Sequence, residues 1–279
     1  TKEEDMVDRL LTCTTHASLL FFTDTGKVYQ VPAYEVPEGT RVSKGKAILN
    51  FLSLGQQERV TSLLAVPKAR KKESFYIVMV TKDGVIKKVE ADSFGTVRKN
   101  GLIAMTLKAG DVLRWAKLTS GKDEMILVSR KGQAIRFREQ DIRPMGRAAA
   151  GVRSIRLGKE DEVVGMDVID NEKLKMKNEK VNLLVVMEHG YGKQTTLLQY
   201  KKQKRGGSGI KTAKVTPKTG AVVSAHIVGG AEEELIAISR KGQVIRTVLS
   251  AIPSLSRSTQ GVRIMKLDEG DAVASITTL

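Results

Sequence analysis

The sequence predicts an all-β protein, a propeller-like disc of five to six mostly four-stranded antiparallel blades. Three observations carry the prediction. A turn glycine followed by a short strand recurs five times, at Gly26, Gly84, Gly132, Gly190 and Gly242. A second glycine follows each, at Gly45, Gly101, Gly151, Gly209 and Gly261, 19 residues on in four copies and 17 in the second. The chain around them consists of short β-branched runs bounded by Gly, Asp or Lys, with no long helical pattern. Four such strands in a unit of about fifty residues is the signature of a propeller blade.

Each element follows from the repeat. A first apolar run occupies Val60–Val66, Val112–Leu118, Val163–Ile169 and Val222–Val228. A second leads into the turn glycine, at Leu19–Thr23, Tyr76–Thr81, Met125–Ser129, Leu183–Met187 and Leu235–Ser239. A third leaves it, at Lys27–Val31, Val85–Val89, Ala134–Phe137 and Val244–Val248. A fourth follows the second glycine, at Ile48–Leu52, Leu102–Leu107, Val152–Leu157 and Val262–Leu267. The D-G and K-G junctions fit tight hairpin turns. The repeats run approximately over residues 5–57, 58–110, 111–160, 161–220 and 221–270, with a closing strand over 271–279, all in one domain. Asp111, Asp161 and Asp271 each stand ten residues after a second glycine; Asp5 looks like the same position, so the chain is expected to begin inside a repeat. Lys-rich insertions at 67–73 and 170–180 both fall between first and second strands.

Composition narrows the partner. The 279 residues carry 47 Lys+Arg against 31 Asp+Glu, a formal net charge of +16, which suits a polyanion. Nucleic acid fits better than an anionic membrane surface, because no amphipathic helix with a wide apolar face is present. No apolar run approaches the roughly 20 residues needed to span a bilayer. Aromatic residues are only 4%, so Val, Ile, Leu and Met must build the core. Cys13 is the only cysteine, which excludes an intrachain disulfide and fits a reducing, cytoplasmic setting; it is expected to be buried in a strand.

The densest functional signal is Lys201–Lys211, K-K-Q-K-R-G-G-S-G-I-K. Lys201, Lys202, Lys204, Arg205 and Lys211 surround Gln203 and three glycines, Gly206, Gly207 and Gly209. Glycines that take positive φ and expose N–H groups among cations suit a phosphate. An arginine stands four residues before the second glycine in four copies, at Arg41, Arg147, Arg205 and Arg257, and Arg98 stands three before Gly101. Lys44 and Lys46 flank Gly45. After the second glycine, cations recur at offsets of two and five residues: Arg153 and Arg156, Lys211 and Lys214, Arg263 and Lys266. Arg136 and Arg246 match four residues after the turn glycine, with Lys88 there in the second copy. These residues are the expected contacts of a basic rim with the DNA backbone.

Catalytic and metal chemistry find no support. His16, His189 and His226 lack ligand spacing. The glycine box lacks the G-K-[ST] of a nucleotide-binding loop. Trp115 reads as packing, and the chain is too poor in aromatics for a base-stacking platform. The five tyrosines, Tyr29, Tyr34, Tyr76, Tyr191 and Tyr200, are scattered over strand ends and turns and read as structural or rim residues.

Gln203-Lys-Arg-Gly-Gly-Ser-Gly209 resembles the box Q-(R/K)-R-G-G-(R/K)-G of the C-terminal domain of the bacterial DNA gyrase A subunit, with Ser208 in place of the second basic residue. The surrounding T-x-x-G-x-V and R-x-x-x-G-V-x-x-I-x-L patterns extend the resemblance over the whole chain. The resemblance implies a β-pinwheel, whose blades exchange a strand with their neighbours, and duplex DNA wrapped on its rim without sequence preference. It implies the rest of the A subunit and the B subunit as partners in an A2B2 holoenzyme in the bacterial cytoplasm, associated with the nucleoid. It also places DNA cleavage, ATP and Mg elsewhere, so that this domain needs no catalytic residue and no cofactor of its own. The related subunit of topoisomerase IV, or an unrelated propeller binding chromatin or protein, are the alternatives.

Overall fold

The computed structural model describes residues 11–39, 45–66, 75–95, 97, 100–170, 181–229 and 234–278. Its ordered elements are strands and short 3-10 turns; no α-helix occurs among the described residues. The chain divides into two compact units, Thr1–Gly121 with Ile142–Val152, and Lys122–Asp141 with Arg153–Leu279.

Along the chain come β1 (Ser18–Thr23), β2 (Lys27–Pro32), β3 (Val60–Val66), β4 (Tyr76–Thr81), β5 (Val85–Glu90), β6 (Leu102–Ile103) and β7 (Leu113–Thr119). Then follow β8 (Glu124–Ser129), β9 (Gln133–Arg138), β10 (Val152–Arg153), β11 (Val163–Ile169), β12 (Asn182–Met187), β13 (Tyr191–Thr196) and β14 (Ile210–Lys211). The last are β15 (Val222–Val228), β16 (Glu234–Ser239), β17 (Val244–Val248), β18 (Val262–Arg263) and β19 (Val273–Thr278). They form four four-stranded sheets, β3-β1-β2-β6, β10-β5-β4-β7, β11-β8-β9-β14 and β15-β12-β13-β18, and a three-stranded sheet β17-β16-β19. These are the expected antiparallel blades, and they exchange strands: β6, β10, β14 and β18 each follow one hairpin but pair with the hairpin before it.

The long first strand of each sequence unit is also lent backward. β3 closes on β1, β7 on β4, and β11 on β8, so each four-stranded blade draws two of its strands from the next repeat. The borrowed fourth strands are two residues long, shorter than the runs in the sequence suggest. The chain then turns away to dock on the hairpin: Thr212 and Ala213 donate their N–H groups to the Gly132 carbonyl. This docking explains both glycines. A Cβ on Gly132 (φ 81°) would lie 2.8 Å from the Ala213 carbonyl oxygen, and one on Gly209 (φ 73°) 2.5 Å from the Ala134 oxygen. Strand exchange therefore demands glycine at both contact points, in a conformation that L side chains disfavour.

The recurring aspartate is a clasp. Asp111 Oδ1 accepts from the N–H groups of Asp83 and Val112. Asp161 does the same with Lys131 and Glu162, and Asp271 with Lys241 and Ala272. Each carboxylate ties a hairpin turn to the start of the strand that closes its sheet. The cores are aliphatic, as the composition requires. Leu20, Ile77, Met79, Met105 and Leu113 pack in the first unit, with Phe22 and Phe94 edge to face at 6.0 Å. Ile126, Val128, Leu183, Val185 and Ala213 pack in the second.

Three local readings are corrected. Ile48–Asn50 is a 3-10 turn, not a strand, because no earlier hairpin among the described residues receives it. β13, Y-G-K-Q-T-T, is a full strand that the sequence pattern misses, because its buried faces are polar. Cys13 is exposed, lying ahead of β1 where no sheet covers it. Residues 67–73 and most of 170–180 lie outside the described residues.

Candidate nucleic-acid interface

The glycine box lies between β13 and β14 and is bound on both flanks. Gln203 N–H donates to the Arg136 carbonyl at 2.8 Å, Gly206 N–H to the Ser154 carbonyl at 2.6 Å, and Arg156 N–H to the Gly207 carbonyl at 2.8 Å. Gly206 (φ 81°) and Gly209 take positive φ, whereas Gly207 does not. A Cβ on Gly207 would meet nothing nearer than 3.7 Å, so the fold itself does not require glycine there. Lys201 and Lys204 are exposed, as are Ser208 and Lys211.

Arg205 and Arg257 occupy matching places. Arg205 Nη1 donates to the carbonyl of Arg153 at 3.1 Å, and Arg257 Nη1 to that of Lys211 at 3.1 Å. In each case the acceptor stands two residues after the second glycine of the preceding repeat. Arg205 also donates from Nε to the Asp141 carbonyl at 2.9 Å. The cations at offsets two and five are all exposed: Arg153 and Arg156, Lys211 and Lys214, Arg263 and Lys266. Of their apolar neighbours, Ile155 and Met265 are buried, whereas Val262 is exposed. Arg263 Nη2 donates to the Tyr191 hydroxyl at 3.4 Å and its guanidinium lies 5.7 Å from the ring centroid. That hydrogen bond, with the charges of Arg263 and Lys218, holds the Tyr191 phenol below its usual pKa. Arg147 and Lys46 are exposed in the first unit; Arg41, Lys44 and Arg98 lie outside the described residues.

The positions four after the turn glycine behave differently from the expectation of free rim cations. Arg136 is half-buried. Its Nε donates to Glu124 Oε2 at 2.7 Å and its Nη1 to the carbonyls of Leu197 and Tyr200 at 3.0 and 3.2 Å. Gln194, at the matching place in the fourth repeat, donates to the carbonyls of Leu249 and Ile252 at 2.6 and 3.2 Å. The position is thus a clamp on the 3-10 turn of the next repeat. Lys202 Nζ lies 2.6 Å from Glu124 Oε1. Burial pushes the Glu124 carboxyl up, but the hydrogen bonds and charges of Lys202 and Arg136 outweigh it and hold the pKa below the usual value. Arg246 is exposed but ion-paired with Glu234, its Nε at 2.8 Å. Lys88 is buried, its ammonium 4.1 Å from the Tyr76 ring centroid.

Two residues escaped the sequence reading. Lys87 and Lys193 stand three after Gly84 and Gly190 and are fully buried. Their shared offset was the available signal. Among the described residues no group of three or more His, Cys, Asp or Glu side chains is placed to hold a metal ion.

The family model described as "DNA gyrase C-terminal domain, beta-propeller" matches residues 17–67, 76–120, 123–170, 182–229 and 233–279, one match per blade. The DNA gyrase A subunits of Staphylococcus epidermidis (strain ATCC 12228) and Staphylococcus aureus (strain MRSA252) are 41% and 39% identical over 276 residues, 99% of this chain and 30% of each relative. The chain therefore spans about three tenths of the length of these relatives. A solved DNA gyrase A C-terminal domain superimposes with a TM-score of 0.76 at 26% identity, covering 95% of this chain and 83% of that one. The C-terminal domain of DNA topoisomerase IV gives 0.85 at 24% identity, covering 100% and 85%; at that identity the likeness speaks for the fold alone. With every blade matched and gyrase A subunits similar across nearly its whole length, the chain belongs to the DNA gyrase C-terminal domain family.

Proposed function

We propose that this chain binds duplex DNA through its phosphates and bends it, as the wrapping part of a gyrase A subunit. The observation that supports this reading best is the repeated pair of exposed cations after successive second glycines, Arg153 and Arg156, Lys211 and Lys214, Arg263 and Lys266. Phosphate contacts fix register without reading sequence, so binding is sequence-independent. Bending 20–30 bp by 40–90° costs about 1–6 kcal/mol, and counterion release over several blades offsets it.

Within the box, Lys201, Lys204 and Arg205 hold phosphates, and Gly207 leaves room for close approach, since the fold does not need a glycine there. Arg147 and Arg257 present guanidiniums from the matching loops, with Lys46, and with Arg41, Lys44 and Arg98 as their sequence counterparts. Arg136, Lys202 and Arg246 serve first as internal partners of Glu124 and Glu234. The chain itself carries no catalysis and no cofactor. Cleavage, ATP and Mg belong to the remainder of an A2B2 holoenzyme in the bacterial cytoplasm, at the nucleoid.

The test is an anisotropy titration of a fluorescent duplex over a salt series. With ~6–10 phosphates engaged, log K falls with log salt at a slope of about −5 to −9. A nearly flat dependence, or strong preference for one sequence, contradicts the reading.

A further inference from the structure

Lys87 and Lys193 are fully buried cations that the box and rim do not account for. Lys87 Nζ donates to the Ala104 carbonyl at 2.7 Å and to the Arg147 carbonyl. Lys193 Nζ donates to the carbonyls of Ser256 and Arg257, both at 2.6 Å, and to Thr259 Oγ1 at 3.0 Å. Among the described residues these neutral oxygens are the only partners of either ammonium. A buried charge held without a carboxylate is unfavourable unless every N–H is satisfied, so an ammonium kept there needs a reason. In both cases one captured carbonyl belongs to a rim arginine itself, four residues before a second glycine. In the third blade the same site is Ile135, and there Arg205 secures its own loop through the carbonyls of Asp141 and Arg153.

We propose that Lys87 and Lys193 are positioning residues for DNA binding, each using a buried ammonium to fix the main chain from which Arg147 or Arg257 reaches a phosphate. The inference rests on the DNA-binding reading above. A loop ordered in advance spares the binding step the cost of ordering it. Burial pushes Lys87 down to about 8; burial and the charge of Arg257 do the same to Lys193. The groups facing Lys193 are the Ser256 and Arg257 carbonyls, the Thr259 hydroxyl and the Arg257 guanidinium; those facing Lys87 are two carbonyls. A neutral amine has two N–H groups. Lys87 keeps both acceptors when it loses its proton, whereas Lys193 must release one of three, so the Arg257 loop loosens first as pH rises.

The experiment is the same salt-series titration with Lys193→Met, Arg257→Ala, the double variant and Thr259→Val. Arg257→Ala makes the slope shallower by about 0.9, one phosphate contact. Lys193→Met does the same, the double variant is no worse than Arg257→Ala alone, and Thr259→Val gives a smaller loss in the same direction. Losses that simply add in the double variant, or Lys193→Met binding like the parent while Arg257→Ala is weakened, overturn the inference and leave DNA binding intact. A parent chain that does not bind DNA overturns both. If Lys193→Met does not fold, Thr259→Val and the parent at pH 9 against pH 7 decide. A drop in affinity at pH 9 together with a loss in Thr259→Val supports the inference, and unchanged affinity in both measurements refutes it.

Discussion

Glu58 offers the sharpest test of what holds the first blade together. Its side chain is 4% exposed. Oε1 accepts from the hydroxyls of Thr23 at 2.6 Å and Thr25 at 2.8 Å. Oε2 accepts from the Tyr29 hydroxyl at 2.8 Å and the Gly55 N–H at 3.0 Å. Burial pushes this carboxyl up, but the four hydrogen bonds outweigh it and bring it from 4.5 down to about 2. The same contact, added to burial, pushes the Tyr29 phenol up to about 12. A carboxyl whose folded pKa lies below its unfolded value stabilises the fold above the unfolded value. That stability is lost as pH falls through the window from 4.5 toward 2. At 1.36 kcal/mol per unit the shift is worth about 3 kcal/mol. Glu58→Gln mimics the protonated form at every pH. It should therefore cost about 3 kcal/mol at pH 7 and progressively less as pH drops. Trp115, the only tryptophan, lies in β7 in the same unit as Glu58 and reports urea unfolding there by fluorescence. Parallel stability–pH curves for parent and variant, or a neutral-pH cost below ~1 kcal/mol, would refute the argument.

Two further contrasts separate structure from binding. Arg136→Met should cost about 3–5 kcal/mol of stability, because Glu124 is left buried with Lys202 alone; urea unfolding measures it, while the salt slope of DNA binding stays near the parent's. Lys204→Ala should do the reverse, leaving stability within ~0.5 kcal/mol and making the slope shallower by about 0.9. Gly209→Val should destabilise by ~2 kcal/mol or more, since its Cβ meets the Ala134 oxygen at 2.5 Å in a left-handed conformation. Gly207→Ala, which has room, should fold with near-parental stability in thermal melting yet bind duplex more weakly.

The repeat was legible because strand exchange leaves a mark that no other residue can supply. Gly132 and Gly209 meet across one docking contact, and the 19-residue interval arises because each repeat carries one glycine from each of two contacts: Gly209 packs on Ala134 of the repeat before, and Gly190 on Met265 of the repeat after. Long aliphatic strands such as β4 and β12 were legible for the usual reason, burial on both faces. β13 was hidden because its buried groups are Lys193, Gln194 and Thr195, which are satisfied by the main chain of residues 249–257. The clamp role of Arg136 was hidden for a related reason. A basic residue in register with others looks like rim, but a side chain long enough to reach a phosphate is also long enough to reach the Leu197 and Tyr200 carbonyls. The division of cations into outward ones and clamps depends on which face of a short strand is covered, and only the pairing of strands decides that.

Borrowed strands set a timetable on the ribosome. The hairpin β1–β2 is complete at Pro32, yet the strand that covers the outer side of β2 ends at Ile103, 71 residues later. At about 5–20 residues per second, that gap lasts roughly 4–14 s. Throughout it the nascent chain exposes an unpaired strand edge, the kind of surface that recruits a neighbouring polypeptide. A delay of similar length recurs at β5, β9 and β13, which wait for β10, β14 and β18. A chain built this way has reason to emerge slowly spaced from its neighbours on a shared message, or under the cover of a chaperone, until the following repeat arrives.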